Sequence, residues 1–394
     1  MRHLLLCIFL IATITTHGQA SAEAKKAFIE GKAFLKKKDY PMAISSIQEA
    51  IRLNPADSFY TFLAGTYAEK GDAENTILNA NKALELNPNY VSAYGFRGIG
   101  HIIKGELKLA NDDFSKVIAL DPKNFEAYNL RSYTNRLIPE VAIIDISKAI
   151  ELNPHYTDAY RNRAGYYERT GANKNALSDY TSAIALDTLN IESYRARGWL
   201  YFRMKELDSS FKDYNKILQL NPRDANAFYN RGTIYHNTGK YQSAIDDFTQ
   251  LITLDTNYAD AYFERARSYA ARKDTAAVFK DLNKAIQLDP KSKKAYLARA
   301  SVYREIKDYD NALKDYDKIL LLNPKDAGAY EDRAKIYFAK KNFEAAIDNL
   351  SKVISLKPGD PETYNLRGEL YLLVHKKELA DADFKKAGDL KTKN

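Results

Sequence analysis

Residues Lys293–Asp326 read KKAYLARASVYREIKDYDNALKDYDKILLLNPKD. Apolar residues recur there at helical spacing in two blocks, with a break at Lys307-Asp308 and a stop at Asn323-Pro324. A residue before proline is pushed off helical geometry, so the dipeptide closes the second block. The same sentence returns on both sides. The Pro or Thr of the stop falls at 55, 88, 122, 154, 188, 222, 256, 290, 324 and 358, with gaps of 33, 34, 32 and then 34 throughout. A fixed period near 34 built from two helices specifies a solenoid, and it overrides the domain count that 394 residues alone would suggest.

With the Pro of the stop numbered 32, eleven copies begin near 24, 57, 91, 125, 157, 191, 225, 259, 293, 327 and 361. Position 4 is a large ring (Tyr60, Tyr94, Tyr128, Tyr262, Tyr296), position 8 is small (Gly31, Ala64, Gly98, Gly232, Ala300, Gly368), and position 11 is again aromatic (Tyr67, Tyr235, Tyr303). These three share one helical face. The second helix answers with a small residue at position 20 (Ala43, Ala244, Ala312) and a ring at 24 (Phe114, Tyr180, Phe248, Phe384). The pattern predicts close approach at the small residues, with rings filling the gaps on either side. Asp39, Asp72, Asp274, Asp308 and Asn342 stand where N-caps belong.

This pattern resembles the tetratricopeptide repeat over about nine-tenths of the chain. The resemblance implies an all-α fold: a right-handed α-solenoid of about eleven helix–turn–helix repeats. It also implies a groove lined by first helices that holds a peptide or protein segment. Two copies depart from the pattern. The gap of 32 places an irregular joint at Arg136–Pro139, with Pro139 in the first turn of the next helix. In the last copy Asp381 and Gly388 replace apolar residues that face the next repeat, which reads as a polar cap.

Position 7 is Arg in nine copies, Arg97, Arg131, Arg163, Arg197, Arg231, Arg265, Arg299, Arg333 and Arg367. Such a column invites a phosphate-tracking reading. The chain supplies a control, because position 23 is Asp in eight of those copies (Asp113, Asp145, Asp179, Asp213, Asp247, Asp281, Asp315, Asp383) and Asn349 in the other. Where position 7 is Glu30 or Leu63, position 23 is Ser46 or Asn79. Arginine and aspartate come and go together, which favours a bidentate pair across the seam of each hairpin over a ligand site.

In the resembled family the groove is lined from first-helix positions 2, 5, 9, 12 and 13. Here those positions cluster Arg161, Arg195, Trp199, Phe202, Tyr229, His236, Phe263 and Arg267, with Arg169 and Arg203 beside them. Exposed rings and arginines together suit a binding surface. The alternative is that the rings pack between neighbouring first helices. The paired Lys/Asn arrangement that chaperone-tail-binding members use to clamp a carboxylate is not found.

Residues 1–20 stand outside the repeat. A basic start at Arg2-His3, an apolar run from Leu4 to Ile14 and a small, polar stretch to Ala20 predict a cleavable export signal, with an uncleaved anchor as the alternative. Lipid attachment at Cys7, the sole cysteine, is disfavoured by Leu6 before it. The repeats 21–394 are expected to be periplasmic or secreted, without disulfides and without stable membrane insertion after cleavage.

HExxH, GxSxG and glycine-rich phosphate loops are absent, and the six histidines are scattered through separate repeats, so neither a metal site nor a cofactor is expected. The leading reading is a non-catalytic scaffold with a protein or peptide partner. Self-association as a homo-oligomer is the alternative. Nucleic-acid binding rests only on a pI near 9.0 and the repeat form and is disfavoured by export.

Overall fold

The computed structural model describes residues 21–392, so the expected export signal at 1–20 lies outside the described residues. Chain contacts divide the molecule into two compact units that meet between Glu206 and Leu207 in sequence. Unit 1 carries α1 (Ala22–Lys36), α2 (Tyr40–Leu53), α3 (Asp57–Lys70), α4 (Ala73–Leu86), α5 (Val91–Lys104) and α6 (Leu107–Leu120). It continues with α7 (Phe125–Thr134), α8 (Pro139–Leu152), α9 (Thr157–Arg169), α10 (Asn173–Leu186) and α11 (Ile191–Arg203). Unit 2 carries α12 (Leu207–Leu220), α13 (Ala225–Asn237), α14 (Tyr241–Leu254), α15 (Ala259–Ala271), α16 (Thr275–Leu288) and α17 (Lys293–Glu305). It ends with α18 (Tyr309–Leu322), α19 (Ala327–Ala339), α20 (Phe343–Leu356), α21 (Pro361–Leu373) and α22 (Lys377–Lys391). The described residues are all-α, and within each unit every hairpin packs on the next: an α-solenoid. First helices begin at 22, 57, 91, 125, 157, 191, 225, 259, 293, 327 and 361, within two residues of the periods read from the sequence.

The helix ends follow local chemistry. The side chains of Asp39, Asp72, Asp274, Asp308 and Asn342 accept hydrogen bonds from the backbone N–H three residues on, as capping requires. Asn54, Asn87, Asn153 and Asn323, each before Pro, turn extended and end their helices. Between the two helices of a hairpin the chain passes through a left-handed residue: Gly71, Gly105, Gly171 and Gly239, but also Lys38, Lys205, Lys273, Lys307, Lys341 and His375. At Lys307 the turn closes by Lys307 N–H to the Arg304 carbonyl (3.0 Å) and Asp308 N–H to the Tyr303 carbonyl (2.8 Å). A side chain there costs conformational energy that glycine avoids. A lysine placed just past the negative end of the preceding helix offsets part of it through its charge.

Within a hairpin the packing differs from expectation in one respect. The rings at position 24 do not fill gaps beside the small contact; they lie on the glycine itself. A Cβ on Gly98 would stand 2.9 Å from the Phe114 ring, one on Gly232 3.0 Å from Phe248, and one on Gly368 2.8 Å from Phe384. The joint at 135–138 falls where the short period puts it. There α7 has only 10 residues against 13 or 14 for α5, α9 and α13, and Pro139 opens α8. Asp381 and Gly388 on α22 are both exposed.

The arginine column is structural. In unit 1, Arg97, Arg131 and Arg163 grip Asp113, Asp145 and Asp179 through Nε and Nη2. In unit 2, Arg231, Arg265, Arg299 and Arg367 do the same to Asp247, Asp281, Asp315 and Asp383. Arg333, the odd case, donates to the Asn349 amide oxygen and to Asp317. The remaining nitrogen, Nη1, reaches back to the second helix of the preceding repeat. Its acceptors are Asn81, Ser115, Ser147 and Thr181 in unit 1. In unit 2 they are Asn215, Thr249, Asn283, Asp317 and Ser351. The ring three residues before each arginine lies 5.2–5.8 Å from its guanidinium. One side chain therefore ties three helices together.

Two outcomes follow. Lys307→Gly relieves the left-handed turn and adds about 1 kcal/mol of stability, read as a higher urea midpoint; no gain would mean that the favourable charge at the helix end outweighs the strain. Asp281 is 2% exposed, so Asp281→Ala strands Arg265 and destabilises by about 3–5 kcal/mol, read by chemical denaturation. The double change Arg265→Leu with Asp281→Leu recovers much of that loss.

Candidate interaction surfaces

The residues expected to line a groove fall on first helices of both units. In unit 1, α9 carries Arg161 and α11 carries Arg195, Trp199 and Phe202. Trp199 is 45% exposed and stacks on Phe202 with ring centroids 5.6 Å apart and planes at 21°. On α9 the same repeat position is Gly165, and no described atom outside its own helix turn lies within 4 Å of where its Cβ would stand, so the floor there is open. Glu168 joins the two helices. It receives the Tyr180 hydroxyl (2.6 Å) on one oxygen and meets Arg203 (3.2 Å) on the other. Arg161 pairs with Asp158 at 2.9 Å, and Arg195 pairs with Glu192. The result is an aromatic pair with its indole open, beside ion-paired cations.

In unit 2 the corresponding rings are built into the packing. Tyr229 meets Phe248 edge-on at 6.1 Å and Tyr258 at 5.9 Å, and burial pushes its phenol up to about 12. His236 Nδ1 lies 3.0 Å from the Ser268 hydroxyl, and its ring stands 5.5 Å from Tyr241. Burial lowers its pKa, with Arg267 adding to the effect, which favours the neutral ring. Phe263 is half-buried beneath the Lys294 ammonium at 4.8 Å, and Arg267 pairs with Glu264 at 2.6 Å. The three rings Tyr229, His236 and Phe263 thus pack against the repeat that follows, as the alternative reading of the rings has it, whereas Arg267 is exposed and bonds within its own helix. Of the eight residues, Trp199 is the ring left largely open.

Another surface was missed from the sequence. Between α19 and α21 runs an open groove of about 540 Å³, floored by Ala334, Leu350 and Leu370 and walled by Phe338, Leu366 and Leu373. Phe338, Leu366, Leu372 and Leu373 are 45–52% exposed. The signal in the sequence was faint: Phe338, Leu372 and Leu373 stand at first-helix positions 12 and 13 of the last two repeats, where repeats five and nine carry Glu168, Arg169, Arg304 and Glu305 but repeat three also carries Ile102 and Ile103. Among the described residues no cluster of three or more His, Cys, Asp or Glu could hold a metal, and no helix is long and apolar enough to cross a membrane.

Stacked helical hairpins of this period, with first helices presenting one face, define a class of interaction solenoids. Models of the tetratricopeptide repeat match residues 58–90, 191–224 and 293–326, two others match 213–246 and 238–293, and a TPR repeat model matches 334–374. The chain belongs to the tetratricopeptide repeat family. Among curated proteins it is similar to Hsp70-Hsp90 organizing protein 3 of Arabidopsis thaliana, 31% identical over 98 residues. That match takes in 25% of this chain and 18% of the relative. It is also similar to small glutamine-rich tetratricopeptide repeat-containing protein 2 of Saccharomyces cerevisiae, 23% identical over 116 residues, 29% of this chain and 34% of that one. The chain thus spans only a minor part of either relative. Among solved structures, a tetratricopeptide repeat protein from Parabacteroides merdae covers 67% of this chain and 98% of its own at 24% identity, with a TM-score of 0.48. Yeast Tom70 covers 93% and 92% at 19% identity, with a TM-score of 0.42.

Because Trp199 is the only tryptophan, fluorescence excited to the red of the tyrosine band reports on this face alone. The folded protein is expected to emit at water-like wavelengths and to be quenched readily by acrylamide. A blue-shifted, protected emission would show that Trp199 is packed.

Proposed function

We propose that this protein is a non-catalytic scaffold that holds a segment of another protein against the first-helix face of unit 1, with Trp199 as the anchor. The observation that carries the reading is the Trp199–Phe202 stack with its indole half exposed, together with the open space at Gly165, the same position of the preceding repeat. Large rings that are rigid and only partly covered lose little entropy on binding and supply most of an interface's energy. Arg203 and Glu168 beside them offer polar contacts that fix the register of an extended segment. The organizing role in the name of the Arabidopsis relative supports an assembly function. The carboxylate clamp is not found in this sequence, so the partner is recognised by side chains rather than by a chain terminus.

Residues 1–20, with their basic start and short apolar run, act in this reading as an export signal, which places the scaffold in the periplasm or outside the cell. Nucleic acid is not its partner. A second reading, self-association, is favoured by aliphatic side chains exposed on second helices of unit 1: Met42, Leu78, Leu109 and Ile144.

The test is retention from the native envelope fraction on immobilised protein. Wild type and a folded control, Lys307→Gly, retain a common partner, whereas Trp199→Ala loses it. Equal retention by Trp199→Ala overturns the anchor, and a partner-free dimer by light scattering favours the second reading.

A further inference from the structure

We propose that the groove between α19 and α21 is a second binding site, independent of Trp199, and that it takes an amphipathic segment of a partner protein with aliphatic side chains on one face and lysine or arginine flanking them. Three observations lead there.

The first is that this seam is open where two of its counterparts in unit 2 are closed. Between α13 and α15 the His236–Ser268 contact spans the first helices. Between α15 and α17 Lys294 covers Phe263 and pairs with Asp260 at 2.7 Å. Between α19 and α21 the walls are instead Phe338, Leu366 and Leu373, each about half exposed. Side chains of that size stay wet at a cost of about 25 cal/mol for each Å² of apolar surface, which an occupant recovers.

The second is charge. The chain as a whole carries +8, yet the rim of this groove is acidic. Glu331 and Glu369 line it, Asp332 lies beside it, and the one lysine, Lys335, is already held by Glu331 at 2.8 Å and Asp332 at 3.3 Å. Three carboxylates against one committed ammonium leave a negative border round an apolar floor. An acidic or lipid-headgroup occupant would meet repulsion there, whereas a basic one is drawn in.

The third is shape. The groove's volume of about 540 Å³ lies within the range that pockets use to enclose a ligand. Its open stripes, Glu331, Lys335 and Phe338 on α19 and Leu366, Glu369 and Leu373 on α21, repeat at the helical interval of three and four residues. That spacing suits a rod laid along them and read through anchors at i, i+3 or i+4, and i+7.

The probes are a synthetic amphipathic leucine–lysine peptide, its leucine–glutamate counterpart with the same leucine positions, and a scrambled leucine–lysine peptide. Binding to the full chain is measured by anisotropy, with oligomeric state followed by light scattering. The leucine–lysine peptide should bind about tenfold or more tighter than either other peptide. Leu373→Glu and Phe338→Asp should each weaken it by about tenfold or more. Both side chains are half exposed, so melting serves as the check that the fold is kept. Glu331→Lys with Glu369→Lys should transfer the preference to the leucine–glutamate peptide, while Trp199→Ala leaves all three affinities unchanged. Equal binding of the lysine and glutamate peptides overturns the proposal. So does insensitivity to Leu373→Glu, or a dimer that Leu373→Glu dissociates, since a second copy would then be the occupant.

Discussion

A solenoid has no central core to hold its parts in place, so each repeat must carry the means of fixing the next. Here that means is the position-7 guanidinium. Arg265 closes its own hairpin through Asp281 and reaches back to Thr249 on the preceding second helix. A buried ion pair adds little over an apolar pair of the same size, but it is intolerant of misregister because a fork must meet a carboxylate in one geometry. The third hydrogen bond extends that intolerance across the boundary between repeats. The first two repeats illustrate the exchange. With Glu30 and Leu63 at position 7, the rings of Phe28, Phe59 and Phe62 pack at 4.6 and 5.1 Å in its place.

Much of this was legible because it is local. Period, caps and proline stops act within one turn of the chain, and the missing residues near Pro139 announced the short α7. The arginine–aspartate pair was legible for a different reason, since eleven copies in one sequence act as their own control. The third partner carried the same signal unread. Position 25 is short and polar in every copy that precedes an arginine, yet it is Gln48 ahead of Leu63. The placing of the rings at position 24 was not legible, because periodicity assigns a face and not the distance between two faces.

The candidate surfaces were harder to read, for a physical reason. Trp199, Tyr229 and Phe263 occupy equivalent faces and look alike in sequence. Whether a ring is open depends on what the neighbouring repeat supplies, as Lys294 covers Phe263. The leucines at 366, 372 and 373 read as core by composition, and only the packing shows that nothing described covers them.

Both partners of most of these arginines sit 16 residues away, one behind and one ahead. Such contacts give a chain of very low contact order, in which no step waits on distant segments. Synthesis runs from the amino terminus, so the backward partner is already in place when each arginine emerges. The forward one arrives after less than half a repeat more. The molecule is thereby suited to fold from its amino terminus onward, hairpin by hairpin, on whichever side of a membrane it emerges, with little apolar surface exposed at any moment.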